Sequence, residues 1–295
     1  MSIHIVGCGD LGTATGLRFA ADGHRVVGFR RHPDRIPLPL EGRGVDLRTT
    51  VPVIDPDVEV VVVALAAGSR EPAEYRATYV DGLRNVLDGV DASGASPRII
   101  VVSSTAVYGV DDGSTVTEAT PATGPTPTAA VLVEAETLLR DRVPDATVLR
   151  LSGVYGPGRE RLIDQVRSGA ARLTAAPGRS PVTNRIHRDD AAAAIVHITG
   201  LVDPAPLYLG TDDEPVRLDD VSRFIATELG LPEPPTADRS PAADGSTSAT
   251  SDTSDQRSDK SLSNALLRST GFAFRYPTYR EGYRAVIAGT GVRHP

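Results

Sequence analysis

The stretch Ile3-His4-Ile5-Val6-Gly7-Cys8-Gly9-Asp10-Leu11-Gly12-Thr13-Ala14-Thr15-Gly16-Leu17 passes from an apolar alternation, through three glycines spaced Gly-x-Gly-x-x-Gly, into a helical pattern. A second apolar run, His24-Arg25-Val26-Val27-Gly28-Phe29, follows. This order of strand, glycine turn, helix and strand is what holding a dinucleotide demands. Gly7 makes the tight turn, Gly9 lets backbone N–H groups approach a pyrophosphate, and Gly12 lets the helix lie close on the strand. Asp10 and Leu11 open the helix in the same cradle, where the positive end of the helix dipole favours an anion. Cys8 contributes only its backbone there.

Outward from this stretch, strand and helix patterns alternate. The run Val58-Glu59-Val60-Val61-Val62-Val63-Ala64 precedes a helical pattern over 75–89, and Arg98-Ile99-Ile100-Val101-Val102 follows. A helix over 129–142 carries Leu132, Ala135, Leu138 and Leu139 at helical spacing before the strand Ala146 to Leu151. The runs at 60–64 and 99–102 are β-branched and nearly free of polar residues, as strands covered on both faces are. The pattern predicts an α/β fold, a doubly wound parallel Rossmann sheet with a smaller C-terminal substrate-binding portion. We place the nucleotide-binding domain at 1–152 and the second portion, interleaved with it, at 153–295. Helices are expected at 189–201 and 218–229. The segment 236–261 is almost all Ser, Thr, Asp, Ala and Gly and cannot offset its ordering entropy by burial, so it is expected to be a mobile polar insert.

A chain of 295 residues buries a full core. The single cysteine forms no internal disulfide and suits a reducing compartment. The N-terminus reads as a structural strand, and no run approaches the length of a membrane span, so a cytoplasmic protein is expected, with no membrane partner. The net charge of −7 argues against a nucleic-acid partner bound through its phosphates. Thirty of the 31 basic residues are Arg, and Lys260 alone is Lys. The six histidines are scattered, so no metal site is expected. No Gly-x-Ser-x-Gly elbow for a serine hydrolase occurs. His187 precedes Asp189-Asp190 at an expected helix start, where the acids would cap the helix and complement its dipole.

Four further segments carry a resemblance: Val102-Ser103-Ser104-Thr105-Ala106-Val107-Tyr108-Gly109; Leu149 through Gly153-Val154-Tyr155-Gly156-Pro157-Gly158; Asn184-Arg185-Ile186-His187-Arg188-Asp189-Asp190; and Gly271-Phe272. With the opening stretch they resemble, over nearly the whole chain, the extended short-chain dehydrogenase/reductase family of nucleotide-sugar epimerases and dehydratases. The resemblance implies that Ser104 hydrogen-bonds the reacting substrate oxygen. It also implies that Ala64, Leu65, Ala66, Ser103 and Gly153 wall the cofactor, and that Asp46-Leu47 meets adenine. It puts Tyr155 in a loop beside the nicotinamide, where its phenol is a candidate substitute acid, with Arg159 four residues on.

The family's Tyr-x-x-x-Lys pair is missing. Aligning Glu134-Ala135-Glu136 with the family helix puts Thr128 at the tyrosine and Leu132 at the lysine, and the residue four before Lys260 is Gln256. A phenol of pKa about 10 is a poor base at neutral pH without a nearby cation, so the usual proton relay has lost both parts. The Asp-Glu pair of the dehydratases is replaced by Thr105-Ala106. The chain is thus similar to atypical members of the family.

Where NAD-selective sites carry an acid at the end of the second strand, this chain has Gly28-Phe29-Arg30-Arg31, two guanidinium groups that suit a phosphate. NADP(H) is expected over NAD(H). The reading is an NADP(H)-dependent epimerase or oxidoreductase acting on a sugar nucleotide or another small hydroxyl or carbonyl compound, with an altered proton relay. The alternative is a non-catalytic NADP(H)-binding protein that reports redox state. The first thirty residues also resemble β-hydroxyacid dehydrogenases, but a single lysine in a polar stretch does not match their helix-borne catalytic lysine. The resemblance further implies a homodimer through the helices at 75–89 and 129–142.

Overall fold

The structure, a computed structural model, describes residues 1–176, 178–237 and 259–295. Seven parallel strands form the central sheet: β1 (Ser2–Val6), β2 (Arg25–Arg30), β3 (Glu41–Gly44), β4 (Val60–Val63), β5 (Arg98–Ser104), β6 (Thr147–Leu151) and β7 (Leu207–Gly210). Their spatial order is β7-β6-β5-β4-β1-β2-β3. The chain therefore builds outward one way from β1 and then jumps back beside it, leaving a crevice between the carboxyl ends of β1 and β4 where ligands bind in such sheets.

Register follows from side-chain alternation. Ile3 pairs with Val60 and Ile5 with Val62, and all four point into one core layer with Phe19, Ile100, Leu149, Ile195 and Ile198. Val61 and Val63 turn to the other face, against Leu83, Val86, Leu87, Ile99, Val101 and Leu139. The four valines of β4 are at most 3% exposed, so each contributes roughly 1.5–3 kcal/mol by leaving water. Helices α1 (Asp10–Ala21) and α4 (Arg188–Gly200) cover the first face, and α2 (Gly82–Ser93) and α3 (Pro127–Arg142) the second.

Helix boundaries have local causes. α3 starts at Pro127, at a position needing no N–H, with the Thr126 hydroxyl accepting from Ala129 N at 3.2 Å. The expected helix at 75–89 is longer: Pro72–Tyr75 begins it, a π-helical turn Arg76–Asp81 interrupts it, and α2 ends where Gly94 takes φ +69°. At α4 the cap is His187 itself, whose Nδ1 accepts from Asp189 N at 3.2 Å. Asp189 and Asp190 lie in the first turn, and Asp190 accepts from the backbone N–H groups of Arg275 and Tyr276.

Beyond Leu151 the chain both returns β7 to the sheet and builds a satellite core from the helix Arg161–Arg167, α5 (Leu218–Glu228) and α6 (Tyr279–Ile287). Of the expected polar insert 236–261, residues 238–258 lie outside the described residues. At its flanks Thr236 bridges to Leu173, and Ser261–Leu262 pairs in parallel with Thr115–Val116, with Lys260 only 5% exposed.

Candidate cofactor-binding and active site

At the carboxyl ends of β1, β4, β5 and β6 lies a cleft of about 500 Å³, within the usual size of ligand sites. Gly7 takes φ +87°, and a Cβ there would stand 2.5 Å from the Ala64 carbonyl oxygen; one on Gly12 would stand 2.6 Å from the Gly7 oxygen. Both are closed to side chains by backbone. Gly9 is different, because a Cβ on it would meet nothing within 4 Å. It faces the open cleft, and α1 begins beside it with no side chain capping its first N–H groups. A helix N-terminus bare of side chains beneath open space is the shape a pyrophosphate fits.

Arg30, Arg31 and His32, at the end of β2, line the same cleft. Arg30 donates to the Pro295 main-chain oxygen at 2.7 Å. Asp46 and Leu47 line it beyond β3, and Arg48 grips Asp46 through two hydrogen bonds of 2.9 and 2.6 Å. Those bonds hold the Asp46 carboxyl down to about 2. Ala64, Leu65 and Ala66 form the wall after β4. Asp10 turns to protein partners, accepting from Arg159 at 2.8 Å and from the fully buried Arg188 at 2.6 Å. The backbone N–H of His294 also donates to it, at 3.2 Å.

At the inner end, Ser104 closes β5 in an extended conformation, and its hydroxyl accepts from Ala106 N at 3.2 Å, capping the 3-10 turn Thr105–Val107. Accepting there keeps its O–H available to donate. Thr128 and Leu132, from α3, line the cleft with Ser104. Ser103 lines it too, but its hydroxyl donates to Glu136 at 2.6 Å.

Two expected residues are placed elsewhere. Gly153 does not line the cleft; its N–H donates to the Asn184 oxygen, and the neighbouring Ser152 takes that stretch of wall. Tyr155 is buried in the satellite core, stacked on Tyr283 at 4.5 Å and edge-on to His187 at 5.4 Å. Its hydroxyl has no hydrogen-bond partner among the described residues, and burial pushes its pKa above the ordinary tyrosine value. That phenol packs in the satellite core.

The cleft also contains residues that the sequence reading passed over: Glu74, Tyr75, Thr78 and Tyr79. Glu74 and Tyr75 close the turn Pro72–Tyr75 and Thr78 and Tyr79 lie in the π turn after it, with the Tyr75 and Tyr79 ring centroids 5.1 Å apart. Sequence spacing carries no mark of such a turn. Among the described residues no group of three His, Cys, Asp or Glu side chains is placed to hold a metal. No helix there is long and apolar enough to cross a membrane.

The fold and the cleft define a Rossmann-type nucleotide-binding protein. Residues 3–205 match the model of the NAD dependent epimerase/dehydratase family, and the chain belongs to that family. A protein of Methylobacillus flagellatus assigned as an NAD-dependent epimerase/dehydratase is 34% identical with TM-score 0.74, over 98% of both chains. A conserved protein of unknown function from Silicibacter pomeroyi is 30% identical with TM-score 0.78, over 98% of this chain and 99% of its own. The UDP-glucose 4-epimerase of Thermus thermophilus, solved with NAD, shares the fold at 19% identity and TM-score 0.75, over 98% of both chains. Among curated proteins none matches.

Proposed function

We propose that the protein is an NADP(H)-dependent oxidoreductase or epimerase acting on a sugar nucleotide or a similar small hydroxyl or carbonyl compound. The observation that carries this reading is the pair Arg30 and Arg31 on the cleft wall at the end of β2, where an acid would serve the ribose hydroxyls of NAD. The bare N-terminus of α1 would hold the pyrophosphate, the two arginines the 2′-phosphate, and Asp46-Leu47 the adenine side. When bound, the nicotinamide supplies the hydride acceptor or donor.

The chain's own part is orientation and polarisation. Ser104, held by its turn, donates to the substrate oxygen, and Thr128 offers a second hydroxyl from α3. Neither titrates near neutrality, so the proton released on oxidation passes to water or to a substrate group. Effective placement alone accelerates such transfers substantially. The lack of a titratable side chain at Thr128 and Leu132 favours the second reading, a protein that binds the cofactor and reports its state to a partner.

Calorimetric titration with NADPH, NADP+, NADH and NAD+ tests the proposal, followed by a sugar-nucleotide panel monitored at the nicotinamide absorbance. Each charge-assisted bond to the phosphate is worth about 1.5–3 kcal/mol, so NADPH should bind at least tenfold tighter than NADH. Arg30→Ala with Arg31→Ala should erase that ratio. Equal binding of both cofactors by the native protein refutes the NADP(H) assignment. Selective binding without turnover establishes the second reading.

A further inference from the structure

Lys260, the only lysine in the chain, is buried far in sequence from the cleft yet ends on the turn that carries Ser104. Its Nζ donates to the Thr105 oxygen at 2.8 Å and to the Tyr108 oxygen at 3.1 Å, 5.8 Å from the Tyr108 ring centroid. Those two carbonyls lie at the two ends of the 3-10 turn Thr105–Val107, which is also tied by the Ser104 cap and by the Val107 oxygen, accepting from Thr123 N at 3.0 Å and Gly124 N at 2.9 Å.

The lysine is itself anchored on both sides. Its carbonyl accepts from Asn184 Nδ2 at 2.8 Å, and the same amide's oxygen accepts from Leu262 N at 2.9 Å. Before it, the Asp259 oxygen accepts from Gly113 N and the Asp259 carboxylate from Val182 N, both at 2.8 Å. After it, Ser261–Leu262 pairs with Thr115–Val116. A buried ammonium with two carbonyl partners is a costly tie, because burial works against its charge and lowers its pKa to about 8. Fixing a turn that must not move accounts for keeping it.

We propose that Lys260 is the positioning residue of the site, clamping the turn after β5 so that the Ser104 hydroxyl is aimed into the cleft. The inference rests on the reading of Ser104 as the group that meets the substrate oxygen. A displacement of about 1 Å at such a group costs roughly 100-fold in rate.

The test uses the full chain. Lys260→Met removes both donors, while Lys260→Arg keeps charge and donors. Expected for Lys260→Met are a kcat lowered about 100-fold, KM and NADPH affinity little changed, and faster amide hydrogen exchange confined to residues 104–108; Lys260→Arg should recover at least part of kcat. An unchanged kcat in a folded Lys260→Met protein, or unchanged exchange at 104–108, overturns the proposal. If Lys260→Met does not fold, 15Nζ-lysine labelling of the native chain decides, since it gives one side-chain signal: a slowly exchanging ammonium supports the clamp, and a freely exchanging one overturns it. If the native protein turns nothing over on the panel, the reading of Ser104 has failed instead, and the exchange at 104–108 alone decides whether Lys260 holds the turn.

Discussion

Removing the Glu136 carboxylate should destabilise the protein by about 3–5 kcal/mol, although it lies behind the residues that line the cleft. Glu136 and Arg150 are 2% and 3% exposed, and they meet through two hydrogen bonds of 2.5 and 3.0 Å. Arg150 also donates to the Tyr108 hydroxyl at 2.6 Å, and Ser103 donates to Glu136 at 2.6 Å. Burial works against the Arg150 charge, and the Glu136 carboxylate more than offsets it, so the guanidinium stays charged. Glu136→Leu therefore strands a buried cation, and Arg150→Met leaves a buried carboxylate whose remaining cation is the half-exposed Arg140, 3.8 Å away. At an unfolding entropy of about 2.1 cal/mol/K per residue, a chain of this length loses roughly 5–8 °C in Tm for each single change. The double variant should lose less than the two singles together by at least about 2 kcal/mol, because an apolar pair replaces an ion pair at little net cost. Urea titration followed by far-UV circular dichroism measures this, there being no tryptophan to report. Singles within about 1 kcal/mol of the native protein, or a strictly additive double, refute the argument.

Tyr155→Phe should leave turnover unchanged and stability equal or slightly higher, since it deletes a buried hydroxyl that has no partner among the described residues; a fall in kcat at constant stability would restore the phenol to the chemistry. Gly282→Ala should cost more than about 2 kcal/mol by urea titration, because the Tyr155 phenol occupies the place of the added Cβ. Asp212, 1% exposed, has its pKa raised by burial from 3.8 to about 8. The folded state then holds a proton the unfolded chain has released, so stability falls as pH rises between roughly 4 and 8, by up to about 1.4 kcal/mol per unit. Asp212→Asn should flatten that slope and raise the urea midpoint at pH 8; an unchanged slope would place the titrating group elsewhere.

The central sheet was readable because its strands carry a double code: Ile3, Ile5, Val60 and Val62 alternate with Val61 and Val63 to feed two separate cores. The glycine loop was readable for a related reason, since Gly7 and Gly12 answer to backbone contacts set within a dozen residues of each other and by β4. Cleft residues placed by local succession from a strand end, such as Arg30, Asp46, Ala64 and Ser104, share that legibility. What escaped depends on distant parts of the chain. Lys260 read as one polar residue in a polar stretch, because only the pairing of Ser261–Leu262 with Thr115–Val116 carries it under the β5 turn. Tyr155 was a candidate beside the nicotinamide through the resemblance alone, and its packing against Tyr283, far later in the chain, could not be read from its own neighbourhood. Tyr75 and Tyr79 escaped because nothing in their i,i+4 spacing says that the helix face they share turns toward the cleft.

The partners of Asp10 set an order on synthesis of the chain. The glycine loop leaves the ribosome well ahead of Arg188, which reaches both Asp10 and the Val292 oxygen, and of the N–H of His294. At roughly 5–20 residues per second, translation leaves the loop waiting on the order of 15–60 s for its outer contacts. Through that interval Asp10 gains its partners one by one, Arg159 first, then Arg188 and last the N–H of His294, and the nascent sheet carries a cleft whose outer wall has yet to be completed.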